Sequence, residues 1–267
     1  MTDAPTPQKL KQFKSALLAA QNWWGEMGVD IPSVPVSAKV QPKSIQKQQP
    51  KKTTAQHLAK PKPPNTAEAI AKITAMAKAA TSLDALKTVI GEVDAGVLSD
   101  HARNIVFARG TDTADIMLIG EAPGRQEDEC GKPFIGQTGQ LLDNMLAAIG
   151  LSQTNTYITN VCNWRPPGNR NPSEEELNLC APLITRHMEL IEPKIVIIVG
   201  GVSLQALTGK TGIMKTRGRW QELDIAGQKT PAMPLYHPAF LLRRPELKKQ
   251  AWHDLLLIKQ KLENGHK

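Results

Sequence analysis

The run Ile195-Val196-Ile197-Ile198-Val199 carries no polar residue in five positions. A strand with one wet face alternates polar and apolar side chains. An unbroken β-branched run therefore specifies a strand buried on both faces, as in the middle of a parallel sheet. Two earlier runs read the same way, Asp115–Gly120 (DIMLIG) and Thr156–Val161 (TYITNV), and Ala232–Tyr236 makes a weaker fourth strand. Helical patterns separate them. Leu141–Ile149 is amphipathic and ends at Gly150, and Ser173 opens an S-x-x-E capping box with Glu176 and a helix to Ile191. Val202–Leu207 is short with Gly209 just past it, and Pro245–Leu262 is the final helix. Alternation of this kind predicts a three-layer α/β/α sandwich around a central four-stranded parallel sheet.

The first 65 residues do not share that pattern. Between Ile31 and Asn65 there are seven prolines and seven lysines, and neither an acidic nor an aromatic residue. Such a stretch cannot bury enough apolar surface to offset the entropy of ordering it, which predicts a disordered Lys/Pro-rich linker over residues 31–65. Before it, Leu10, Phe13, Leu17, Leu18, Trp23 and Trp24 fall near helical spacing, so residues 1–30 read as an amphipathic helix stopped near Gly28. Residues 66–267 then read as one folded domain, entered through a helix from Thr66 to Ala80 and another capped by Ser82. Residues 1–65 hold ten lysines against Asp3, Glu26 and Asp30, whereas the rest of the chain is nearly neutral. A cationic tether suits a polyanion such as the DNA backbone, because binding phosphates releases counterions. A protein partner for the two tryptophans is the other reading.

No run of about 18 apolar residues is present, which argues against a membrane span. The first arginine is Arg103, against the pattern of an Arg-rich transit peptide. Cys130, Cys162 and Cys180 are odd in number and never spaced C-x-x-C, which points to a reducing compartment, the cytoplasm.

Ligands of open α/β sheets bind outside the carboxyl ends of the strands. The unusual segments of this chain gather there: Gly120–Gly139 after the first strand, Asn160 leading to Arg165-Pro166-Pro167 after the second, Gly200-Gly201 after the third, and Tyr236-His237-Pro238 after the fourth. The first contains Glu121, Glu127, Asp128 and Glu129, and acidic side chains would repel a pyrophosphate. They suit the positioning of water or the stabilisation of a developing cation.

The ordered segments GEAPG, EDE, GKPFIGQTGQLL, YITNV, RPPGNRNP and YHPAFLLRRP resemble the uracil-DNA glycosylase superfamily, nearest its family 4, from about Ile105 to Leu262. The resemblance implies a monomeric, monofunctional DNA repair enzyme that releases uracil from DNA and leaves an abasic site. It implies that Phe134 stacks on the extruded base, that Asn160 bonds its Watson–Crick edge, and that His237 faces O2, where negative charge gathers as the glycosidic bond breaks. Backbone N–H groups around Glu121 and Ala122 would hold the rest of the base. Glu121 or Glu127 would direct water or stabilise the sugar cation, with blocking of thymine's methyl as a further role for Glu127. On the DNA side, Leu241 and Leu242 would form an apolar wedge with Arg243 beside it, and the loop carrying Lys215, Arg217 and Arg219 a second phosphate contact.

The chain departs from family 4 in one respect. Members of that family hold a four-iron-four-sulfur cluster on four cysteines, two of them upstream of the first strand. Here Val93–Phe107 contains no cysteine, Trp164 stands before Arg165, Cys162 is displaced by two residues, and only Cys180 matches. The expectation is therefore no cofactor and no metal. Cys180 shares an apolar face with Leu177, Ile184 and Met188 and reads as core. Two other functions remain open from sequence: a non-catalytic module that binds uracil or damaged DNA and recruits repair partners, and a glycosylase for another deaminated base.

Overall fold

The computed structural model describes residues 66–265. The expected N-terminal helix and the Lys/Pro-rich linker lie outside the described residues. Within them the chain forms α1 (Thr66–Ala79), α2 (Leu83–Glu92), α3 (Val97–His101), β1 (Ala108–Gly110), β2 (Ile116–Gly120), α4 (Arg125–Cys130), α5 (Gln137–Ala147) and β3 (Thr156–Asn160). It continues with α6 (Glu174–Ile191), β4 (Ile195–Val199), α7 (Gly201–Thr208), α8 (Ile213–Thr216), β5 (Gln221–Ile225), β6 (Gln228–Leu235), α9 (Pro238–Arg243) and α10 (Lys248–Gly265).

The strands form one sheet in the order β1-β3-β2-β4-β6-β5. The pairs β3–β2, β2–β4 and β4–β6 are parallel, and these are the four strands expected from sequence. The sheet itself is six-stranded, not four-stranded. Two antiparallel strands close its edges, β1 against β3 and β5 against β6. Both are short and partly polar, so neither carries the period of a buried strand.

Alternate residues of the central strands face opposite layers. Met117, Ile119, Tyr157, Val196 and Ile198 pack with Ile73, Leu86, Ile90, Cys180, Ile184 and Leu204, that is, with α1, α2, α6 and α7. Leu118, Ile158, Ile197, Val199, Met233 and Leu235 pack on the other side with Leu142 and Leu146 of α5 and Leu255 and Ile258 of α10. Each such apolar side chain, fully buried, contributes about 1.5–3 kcal/mol. The helix ends follow the sequence signals. Ser82 Oγ accepts from the Ala85 N–H, and the capping box of α6 is complete, with Glu176 N–H donating to Ser173 Oγ and Ser173 N–H to Glu176 Oε2. The layers leave the carboxyl ends of β2, β3, β4 and β6 along one edge of the sheet.

Candidate active site

The register sets Gly120, the last residue of β2, directly opposite Asn160, the last of β3. A β-carbon on Gly120 would collide with Asn160 Oδ1 and with the tip of the Phe134 ring. Backbone, amide and aromatic ring thus meet in one recess at the strand ends, where only glycine leaves room for the other two. Asn160 is 2% exposed, and its Oδ1 has no hydrogen-bond partner. Leaving a buried acceptor unpaired costs about 1–3 kcal/mol. By contrast, Asn163 nearby spends its amide on the Val106 carbonyl, as a structural asparagine does.

Phe134 is held in the recess against its own backbone preference, at φ 51°. A bulky residue in the left-handed region is costly and persists only where its surroundings enforce it. Two devices do so. Glu127 Oε1 accepts from the N–H groups of Ile135 and Gly136, at 3.2 and 3.1 Å. On the other side Gly139, in the first turn of α5, gives the space taken by the Phe134 carbonyl, which a β-carbon there would overlap. Glu127 itself is buried, in α4. Its neighbour Asp128 does the same work for another loop, accepting from the N–H groups of Arg103 and Asn104.

His237 caps α9 at the end of the last parallel strand. Its Nδ1 accepts from the Ala239 N–H at 3.2 Å, so the proton of the neutral ring is carried on Nε2. Burial, and then the charge of Arg243, lower its pKa to about 4, which keeps the imidazole neutral at physiological pH. Gly200, at φ 99°, lets β4 end against this ring, and a β-carbon there would sit 3.2 Å from His237 Cβ. The His237 and Phe134 rings are 5.8 Å apart. Glu121, the residue after Gly120, is half-buried, and burial raises its carboxyl pKa to about 7. Ala122 beside it is half-buried as well.

The structure brings Glu121, Ala122, Glu127, Phe134, Asn160 and His237 to the same end of the sheet. The expected DNA-facing residues divide. Arg243 and Arg219 are exposed. Leu241 is 1% exposed and packs with Tyr236 and Ala251, so it belongs to the core of α9 and not to a wedge, which leaves the half-buried Leu242 to face outward. Arg217 is spent internally: its guanidinium donates to Asp254 and to the Gln250 carbonyl. Sequence reasoning places Gly120 and Gly200 at strand ends without giving either a role, and misses Asp254. The glycines at two strand ends are a usable signal. Asp254 inside a polar-looking helix is not.

A four-iron-four-sulfur cluster does not fit the donors present. Cys162 and Cys180 are both fully buried side by side, and their mutual hydrogen bond and burial hold the Cys162 thiol well above its ordinary pKa, hence protonated. Trp164, Leu98, Val93 and Ala95 belong to the same buried apolar cluster. Cys130 is exposed at the end of α4. Among the described residues no group of three or more His, Cys, Asp or Glu could hold a metal ion.

Comparison with known proteins gives a consistent picture. Residues 107–256 match the profile of the "Uracil DNA glycosylase superfamily". A "Type-4 uracil-DNA glycosylase" of Archaeoglobus fulgidus is 40% identical over 160 residues, 58% of this chain and 80% of that protein. One of Saccharolobus solfataricus is 40% identical over 168 residues, 61% of this chain and 78% of its own length. One of Pyrobaculum aerophilum is 34% identical over 181 residues, 66% and 92% respectively.

Proposed function

Since this chain belongs to the uracil-DNA glycosylase superfamily, we propose that it hydrolyses the N-glycosidic bond of deoxyuridine in DNA, releases uracil and leaves the strand uncut at an abasic site. The observation that carries this reading is the unpaired, buried Oδ1 of Asn160, set beside an aromatic ring. Uracil offers that oxygen the N3–H donor it lacks, and its O4 accepts from the amide Nδ2. Cytosine presents a bare N3 and a donor at C4, which opposes both contacts. Sites built on such hydrogen bonds reject the mismatched base by roughly 10⁴-fold.

In the proposed reaction the flipped base stacks on Phe134, and Nε2–H of His237 donates to O2. As the C1′–N1 bond breaks, its electron pair passes to the base and is spread onto O2, where the neutral imidazole stabilises it more than in the ground state. Water then bonds to C1′ of the sugar cation, and its proton goes to the Glu121 carboxylate and from there to the departing uracil. Glu121 is assigned this role because it follows Gly120 at the end of β2, and burial raises its carboxyl pKa to about 7. Glu127 is committed to the loop of Phe134. No step uses an iron-sulfur cluster or any other cofactor. Leu242, Arg243 and Arg219 meet the DNA, and the basic residues before Thr66 add a tether to its backbone. The unbridged cysteines suit the cytoplasm, and a monomer suffices, since all the named residues lie on one chain.

The test is release of uracil from an oligonucleotide carrying one uracil, single- and double-stranded. Strand breaks that appear only after alkali, and vanish with Asn160→Ala, are expected. Tight binding without release on either substrate would replace the enzyme with a recognition module. Breaks before alkali would end the monofunctional assignment.

A further inference from the structure

The loop between α8 and β5 is braced in a way that reaches the active-site histidine. Arg217 Nε donates to Asp254 Oδ2 at 2.6 Å, and its Nη2 donates both to Asp254 Oδ1 and, at 2.7 Å, to the Gln250 carbonyl. Asp254 is 1% exposed. The same guanidinium lies 5.3 Å from the centre of the Tyr236 ring. Tyr236 is also 1% exposed, and its hydroxyl donates to Gln250 Oε1 at 3.0 Å. Gly218, at φ 67°, passes so close to Asp254 that a β-carbon would strike Oδ1, and its N–H bonds the carbonyl of Pro234 in β6. Two turns of α10 are thus tied, through one arginine, to the strand end that carries His237.

We propose that Arg217, oriented by Asp254, is a positioning residue for His237. This rests on the glycosylase reading above. Tyr236 is the residue before His237, and its ring is clamped between the Arg217 guanidinium and Phe240, 5.3 Å away on a tilted plane. Tyr236 cannot turn without breaking the cation–π contact and the hydroxyl bond together. The backbone that aims the imidazole at O2 is fixed in consequence. Displacement of a reacting group by about 1 Å costs roughly 10²-fold in rate, so a brace of this kind acts on the chemical step and not on DNA affinity. A bidentate arginine fork does this where a lysine cannot, since lysine keeps the charge but loses the planar pair of donors.

The test uses the full-length protein with Arg217→Lys and Asp254→Asn, each preserving shape closely enough to fold, as checked by thermal melting. Under single-turnover conditions both variants should release uracil roughly tenfold or more slowly. The half-saturating concentration of uracil oligonucleotide and its salt dependence should stay unchanged. In NMR the imidazole signals of His237 should lose the pattern of an Nε2-protonated ring with an accepting Nδ1. Unchanged rates would overturn the proposal, and so would weaker binding with a salt slope reduced by about one, which would mark Arg217 as a phosphate contact. The imidazole spectrum reads His237 directly, without turnover. A wild-type protein that releases no uracil would therefore sink the glycosylase reading, while an imidazole pattern retained in both variants would sink the brace.

Discussion

His237 and Phe134 stand with their ring centres 5.8 Å apart and their planes tilted by 31°. Two aromatic contacts of about 3.5 Å each need roughly 7 Å, so no base fits between the rings. A base stacked on Phe134 therefore meets His237 with an edge, which is the geometry a hydrogen bond to O2 demands. A residue of the loop between α4 and α5 and one just past the last parallel strand are brought to this distance by fixed backbone: a carboxylate clamp at one side and a helix cap at the other.

Asn160→Ala should lower single-turnover uracil release by about 10²-fold or more, since a buried charge-assisted or paired contact is removed. The melting temperature should hold or rise slightly, because the substitution also removes an unpaired buried acceptor. A large fall in stability would mean that the amide serves the fold.

Glu121 and Glu127 should separate by what they change. Glu127→Ala deletes a carboxylate that accepts two backbone N–H groups, and bonds to charged groups contribute about 1.5–3 kcal/mol. It should lower the melting temperature by several degrees and loosen the Phe134 loop, visible as faster amide exchange at Ile135 and Gly136. Glu121→Gln should leave the Phe134 loop and its amide exchange unchanged while it reduces the rate.

Glu121 should shape the pH dependence of the rate and contribute, near neutral pH, to that of stability. Its carboxyl pKa is raised to about 7 by burial. If the carboxylate takes the water's proton, the rate should climb about tenfold per pH unit below 7 and level off above it. For stability the sign is opposite. A carboxyl raised above its unfolded value favours folding most below about 4.5, and that contribution is lost as pH rises through 7. Glu121→Gln should thus melt higher than wild type at pH 8 and about equally at pH 4.

Acid should weaken the fold through two imidazoles, the buried His187 and the half-buried His237. His187 bonds the Tyr157 hydroxyl at 2.6 Å and burial lowers its pKa to about 3, while His237 is lowered to about 4. Both are neutral when folded and bind protons near pH 6.5 when unfolded. Their stabilisation is complete above that value and is lost as pH falls toward 4 and then 3. A melting profile that is flat from pH 6.5 to 4 would contradict this burial. His187→Gln should flatten the lower part of the profile.

Much of the fold is legible in the sequence because the central strands carry an unambiguous period. Ile195–Val199 reads with its observed boundaries, and Ser173 with Glu176 marks the start of α6. The edge strands are not legible, since Ala108–Gly110 is three residues long and Gln221–Ile225 alternates with charge. The segment after β2 reads as an acidic loop. Glu127 and Asp128 are in fact buried in α4 as acceptors for neighbouring backbone, a duty that composition cannot distinguish from solvation. Leu241 and Arg217 fail for the same reason in reverse. A leucine beside arginines looks like a wedge and an arginine in a glycine-containing loop looks like a phosphate contact, until packing shows that α9 and Asp254 have already taken them.

The empty partner position on Asn160 Oδ1 also bears on the moment after cleavage. Free uracil carries the same N3–H as the nucleotide it came from, so it answers that oxygen equally well once the sugar has gone. On the proposed function the pocket holds its product for the same reason that it seizes its substrate. Departure of the base would then set the pace of each cycle, and the abasic strand would be released by an enzyme that still carries its catch.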